Sequence, residues 1–291
     1  MTTKPAAPTP GNGRLRPRSY TAILSLTIAA AVLLASGSLW PFVYHEARQL
    51  ARWRLERQLT HWPSLESDHF VVKYQPEDEK IAPLVLSAAE QAYSIITQEA
   101  DFIPPHKTLV AVYPSTHELN AVFGWSPQES ALGVYWGGAI RVLSPTAWIG
   151  DVDNEQLGQI FWACGPMVHE FTHLILDYKT AGNYPRWFSE GLAQYMELKH
   201  CGAAISVSSE LCLSRLYSIN ELEKFSQLDD ELLAYEQSLS LVEFLVHVGG
   251  PDVISKIVKG LAQGLTFSRS LQAAGMPSLT ALEEGWLDWI K

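Results

Sequence analysis

The stretch His169-Glu170-Phe171-Thr172-His173, with Trp187-Phe188-Ser189-Glu190-Gly191-Leu192-Ala193 behind it, decides how the rest of the chain is read. Positions four apart project from one face of a helix, so His169 and His173 present two imidazoles to a single ion. Glu170 lies about 100° round the same helix and faces a water beside that ion without itself being a ligand. Glu190 comes after 16 intervening residues and folds back as the third ligand. Two nitrogens and a carboxylate are the donor set of a catalytic Zn2+ that keeps one position open.

The neighbouring residues support two helices. Pro166 suits a first helical turn, and Val168, Phe171, Thr172, Leu174, Ile175 and Leu176 supply an apolar body. The run from Lys179 to Asn183 breaks that helix, and Pro185 opens a second pattern through Trp187, Leu192, Tyr195, Met196 and Leu198. Two histidines at this spacing also occur on helices that hold no metal. The downstream Glu-Gly-Leu-Ala on its own helix makes the zinc reading the stronger one.

The segment from His169 to Tyr195 resembles the gluzincin metallopeptidases, the clan of thermolysin-like and aminopeptidase N-like enzymes. Within it the chain is most similar to the small bacterial peptidase MA-like domains. The corresponding pieces are His69–Tyr74, a helical pattern near Lys80–Ala100, Leu109–Tyr113, Gly133–Leu143, the two metal helices, and a tail from Ala234 through Phe267 to Trp286. The resemblance covers residues 68–291. It implies an α+β fold: a small N-terminal mixed sheet with helices, an active-site helix pair and a helical C-terminal lobe. It also implies His169, His173 and Glu190 as ligands and Glu170 as general base. Such enzymes add a Tyr or His that stabilises the tetrahedral oxyanion. Tyr235 is the candidate, chosen on oxyanion logic, and it also suits a core aromatic opening a helix; His247 is the less suited alternative.

The composition is that of a globular domain with a hydrophobic attachment, at 47% hydrophobic and 18% charged residues. Residues 1–45 hold Lys4, Arg14, Arg16 and Arg18 and no acid, leaving 17 basic against 31 acidic side chains beyond them. That balance argues against nucleic acid as a partner. Residues 1–19 read as a flexible basic tail, and 20–44 as a transmembrane signal anchor free of charge, with Trp40 and Tyr44 suited to the far interface. A cleaved signal peptide, with Ala35-Ser36-Gly37-Ser38 as its small residues, is the competing reading. The basic arm favours an inside N-terminus and an extracytoplasmic catalytic domain, although Arg48, Arg52, Arg54 and Arg57 follow the span closely. Residues 45–67 form an amphipathic connector with Ala47, Ala51, Leu55 and Leu59 at intervals of four.

Other features carry less. Cys201 and Cys212 are placed to close a local disulfide in an exported domain, with Cys164 left over. Residues 131–143 include an edge strand able to bind an extended peptide, their glycines marking a hairpin turn or bulge. Asp177, four after His173, reads as a helix-end surface residue or as a group orienting a ligand. Trp125, Trp136, Trp148, Trp162 and Trp187 read as core or cleft wall. The expectation is a membrane-anchored zinc peptidase acting on peptide or protein substrates. A zinc amidase on a non-protein amide and a non-catalytic peptide-binding domain are the alternatives, and oligomeric state is not legible.

Overall fold

The computed structural model describes residues 39–127, 129, 131–202 and 216–291. The expected tail, most of the expected span and Cys212 lie outside these residues. Among the described residues no helix is long and apolar enough to cross a membrane. They form an α+β fold of five strands and eleven helices.

The sheet is built around β3 (Thr108–Tyr113), a strand buried along its whole length. Its sequence is a nearly unbroken apolar run, as expected of a strand covered on both faces. It pairs in parallel with β2 (Phe70–Lys73) on one side and with β5 (Ala139–Leu143) on the other. β1 (Ser64–Glu66) and β4 (Gly133–Trp136) close the two edges by antiparallel pairing, giving the order β1-β2-β3-β5-β4. The glycine-containing segment is therefore a hairpin, with Gly137 and Gly138 as its two-residue turn, and β4 is its open edge.

Both faces of the sheet are covered. Val110, Val112, Ile140 and Val142 meet α2 (Ala82–Ala100) and α5 (Met167–Thr180), with Ala88, Ala89 and Ala92 letting α2 lie close. Leu109, Ala111, Tyr113, Ala139 and Leu143 face the other way, towards Leu119 of α3 (Thr116–Phe123) and Leu55 of α1 (Trp40–Gln58). Of the stripe read for the connector, Leu55 and Leu59 lie in the core against the sheet, whereas Ala47 is exposed. Tyr44, expected at a membrane interface, turns towards α5, where its hydroxyl donates to Asp177.

The second half is helical: α4 (Asn154–Cys164), α6 (Arg186–Cys201), α7 (Ile219–Leu222), α8 (Glu231–Gly249), α9 (Val253–Ala262), α10 (Phe267–Ala273) and α11 (Leu279–Trp289). Side-chain caps at Asp153, Ser218, Asp230, Thr266 and Ser278 start five of these seven and satisfy otherwise orphaned N–H groups. Trp187, Phe188, Leu241, Leu245 and Trp286 form their core, where the Trp286 indole donates to Ser240 Oγ at 3.0 Å. A Cβ on Gly191 would lie 2.1 Å from the Ser238 carbonyl oxygen, so only glycine lets α6 and α8 meet backbone to backbone. The helix α5 joins the two halves, with Phe171 and Ile175 in the sheet core and Leu176 in the helical one.

Candidate metal centre

Burial orients α5. Val168, Phe171, Leu174 and Ile175 are sealed in the sheet core, which leaves His169 and His173 on the face turned towards α6. The chain reverses at Ala181 and Gly182, where the Asn183 amide donates to the carbonyls of Leu261 at 2.8 Å and Leu265 at 2.9 Å. That clamp fixes the start of α6 against α9 and brings Glu190 opposite the histidines.

The three groups converge. Glu190 Oε2 lies 3.4 Å from His169 Nε2 and 3.3 Å from His173 Nε2, and one donor atom from each falls within 4.8 Å of the others. Ligand bonds of roughly 2.0–2.1 Å in a tetrahedron imply donor-to-donor edges of about 3.3 Å. The two measured edges fit that ion.

The far side of each ring is held as well. His169 Nδ1 pairs with Glu197 Oε2 at 2.9 Å, and His173 Nδ1 with Ser189 Oγ at 2.7 Å. Glu197 is 2% exposed and sits two turns beyond Glu190 on the same helix. Partners at Nδ1 leave each Nε2 as the metal-facing nitrogen. The sequence reading missed Glu197 and Ser189, although the seven-residue interval from Glu190 to Glu197 was a usable signal.

The electrostatics follow from enclosure. Burial opposes charge on His169, but the Glu197 and Glu190 carboxylates outweigh it and hold the imidazole well above its ordinary pKa. Burial also works against an ionised Glu190, yet His173 and His169 bring it well below the usual carboxylate range. Glu170 goes the other way: burial raises it, and the two imidazoles only partly offset that. The two carboxylates are thus driven apart, one a fixed anion and the other closer to exchanging a proton.

Glu170 does not join the donor cluster. Its Oε2 accepts the main-chain N–H of Tyr135 on β4 at 2.5 Å. The strand approaches closely because residue 133 is glycine: a Cβ there would lie 2.8 Å from Glu170 Cγ and 2.5 Å from Pro166 Cβ. The cleft between α5, α6 and this edge has a volume of 480 Å³, and Trp125, Trp136, Arg186 and Tyr235 line it beside the three donors and Glu170.

Tyr235 therefore reaches the site, whereas His247 is exposed and packs on Trp289 with ring centroids 5.8 Å apart. Burial pushes the Tyr235 hydroxyl up to about 12, with Glu190 adding to the rise and Arg186 opposing it. Arg186, which sequence reasoning also missed, donates to Glu190 Oε1 at 3.3 Å and lies beside the Tyr235 hydroxyl. Asp177 is neither a surface residue nor in contact with a ligand; it is 1% exposed and paired with Arg48 of α1. Cys164 and Cys201 are free thiols, and burial pushes Cys201 up to about 11.

Residues 134–291, just over half of the chain, match the model of the Peptidase MA superfamily. The chain belongs to the Peptidase MA superfamily. The domain is therefore zincin-like and of a peptidase type, and the matched region holds all three donors together with Glu170 and Tyr235. No curated protein matches the chain. In this member of the Peptidase MA superfamily, β1 to β3 and α1 to α3 precede the matched region, although β5 is paired in parallel with β3.

Proposed function

We propose that the protein is a membrane-anchored, zinc-dependent peptidase of the gluzincin type, with its catalytic domain on the extracytoplasmic side. The observation that carries this reading is the convergence of His169 Nε2, His173 Nε2 and Glu190 Oε2 beside a buried carboxylate, in a cleft bordered by an open strand edge. Bound to these three residues, zinc would supply the Lewis acid that polarises a peptide carbonyl and acidifies water. Glu170 takes the proton released by water and passes it to the departing amine, a task that its raised pKa favours.

The remaining residues orient and stabilise. The open edge of β4 pairs with the substrate main chain and holds it extended across the cleft. Tyr235 and Arg186 place an O–H and a guanidinium where negative charge develops on the former carbonyl oxygen. Glu197 and Ser189 hold the imidazoles in their ligating orientation. An apolar run from residue 20 up to the start of α1, free of charged side chains, supports the anchor.

Zinc content and hydrolysis of a fluorogenic peptide library by the full-length protein in detergent test this reading. About one zinc per chain, with cleavage abolished in Glu170→Gln, is the expected result. Cleavage unaffected by Glu170→Gln would remove the base assignment. A zinc-free wild type that binds peptides without cutting them would replace the enzyme with a binding domain.

A further inference from the structure

The helix α1 lies outside the family match, yet it reaches the site through one buried carboxylate. Asp177 takes three donors from other elements. Two come from α1: the Tyr44 hydroxyl, and Arg48 Nη1 at 2.9 Å. The third is the Tyr135 hydroxyl of β4 at 2.6 Å. Arg48 is itself buried, its guanidinium 3.6 Å from the centre of the Tyr178 ring.

Tyr135 is also the residue whose main-chain N–H reaches Glu170. Glu170 and Asp177 are seven residues apart on α5, two helical turns along one face. Tyr135 is thus bonded to the same helix at two points, by its backbone to one carboxylate and by its side chain to the other. Two anchors along a helix fix both the distance and the axial position of the strand. They matter because β4 is only four residues long and has a ladder partner on one side only.

We propose that Tyr44, Arg48, Asp177 and Tyr135 are positioning residues for Glu170, so that the site is competent only while α1 is docked. The catalytic arm of this proposal rests on the peptidase reading above. Tyr44 donates to Asp177 Oδ1 and Arg48 to Oδ2, which fixes the carboxylate, and the Tyr135 hydroxyl on that same Oδ2 sets the strand so that its N–H meets Glu170. A carboxylate held by a fixed donor keeps one orientation, whereas a free one samples several rotamers.

Full-length protein in detergent would be compared as wild type, Tyr135→Phe, Asp177→Asn, Arg48→Met and Arg48→Lys. Tyr135→Phe removes one hydroxyl and leaves the Arg48–Asp177 pair intact, so it tests the relay even if the α1 variants fold poorly. Loss of one hydrogen bond to a charged group should lower kcat about tenfold or more in Tyr135→Phe and Asp177→Asn. KM should shift by less than about threefold and zinc stoichiometry should not change, because the ligands are untouched. Arg48→Lys should recover part of what Arg48→Met loses.

A second measurement does not depend on hydrolysis. Hydrogen exchange at the Tyr135 amide should be slow in the wild type and at least about tenfold faster in Tyr135→Phe, with exchange in α8 and α11 unchanged. Wild-type kcat and a slow amide in Tyr135→Phe would overturn the proposal. So would loss of zinc in step with kcat, since the residues would then support the metal helices generally. If the wild type cleaves no peptide, the peptidase reading fails by itself; the amide exchange in Tyr135→Phe then still tests the strand contact, and the same measurement in Arg48→Met, with a slow amide overturning it, tests the role of α1.

Discussion

The two walls of the cleft are built in opposite ways. One wall, α5 and α6, draws its three donors from residues 169 to 190, and each sits on a helix whose periodicity is visible in the chain. The other, β4 backed by α1, is joined to α5 by contacts from Tyr44, Arg48 and Tyr135 to Asp177, spanning 133, 129 and 42 residues. On the peptidase reading the first wall would carry the chemistry, and the second would set where Glu170 and a substrate strand lie. Short-range spacing can specify the first, whereas only the folded sheet can assemble the second.

Substitutions on the two walls should separate metal binding, turnover and stability. His173→Ala should abolish both zinc retention and hydrolysis, and Glu170→Gln should keep the zinc while losing about 10²–10⁴-fold in rate, measured by elemental analysis beside peptide cleavage. Full zinc loss in Glu170→Gln would blur the distinction between ligand and base. Tyr235→Phe should cost about 10²–10³-fold in kcat with zinc unchanged if its hydroxyl meets the oxyanion. Unchanged turnover would leave Tyr235 as a packing residue against Phe225, whose ring centroid is 5.0 Å away.

Glu197→Gln should weaken zinc affinity about 10–100-fold, read by competition with a chelator, because the His169 ring loses its charged partner. On the opposite wall Leu55→Ala should leave zinc affinity untouched and cost about 2–5 kcal/mol of stability in denaturant titration, since Leu55 is a core residue of the sheet. A Leu55→Ala protein of unchanged stability would mean that α1 merely rests on the sheet, and the contrast between the walls would weaken.

This contrast also explains what was legible in the sequence. The metal helices follow from local pattern, and the strands at 70–73 and 108–113 and the helix at 82–100 from the resemblance to peptidase MA-like domains; the structure places all of them within a few residues of the reading. The hairpin at Gly137-Gly138 followed from its glycines. Asp177 was open to misreading because the cation nearest it in sequence, Lys179, turns to the Ala100 carbonyl, while its partner Arg48 lies 129 residues away on α1. The leucines of α1 had the spacing of an amphipathic helix, but spacing alone cannot say whether such a face meets lipid or a sheet. Arg186 escaped notice because a lone arginine at the start of a helix usually faces solvent.

The parallel pairing of β3 with β5 has a practical consequence for anyone moving this domain between scaffolds. The matched family region begins at Val134, inside β4, while the strand that shares hydrogen bonds with β5 ends at Tyr113. A graft cut at residue 134 would carry all three candidate donors and leave β5 without its inner neighbour, exposing a row of unpaired main-chain groups and the apolar side chains above and below it. Such a transplant should aggregate despite possessing every ligand. A workable exchange has to begin ahead of α1, so the transferable unit is defined by strand pairing, and the sequence motif marks only its interior.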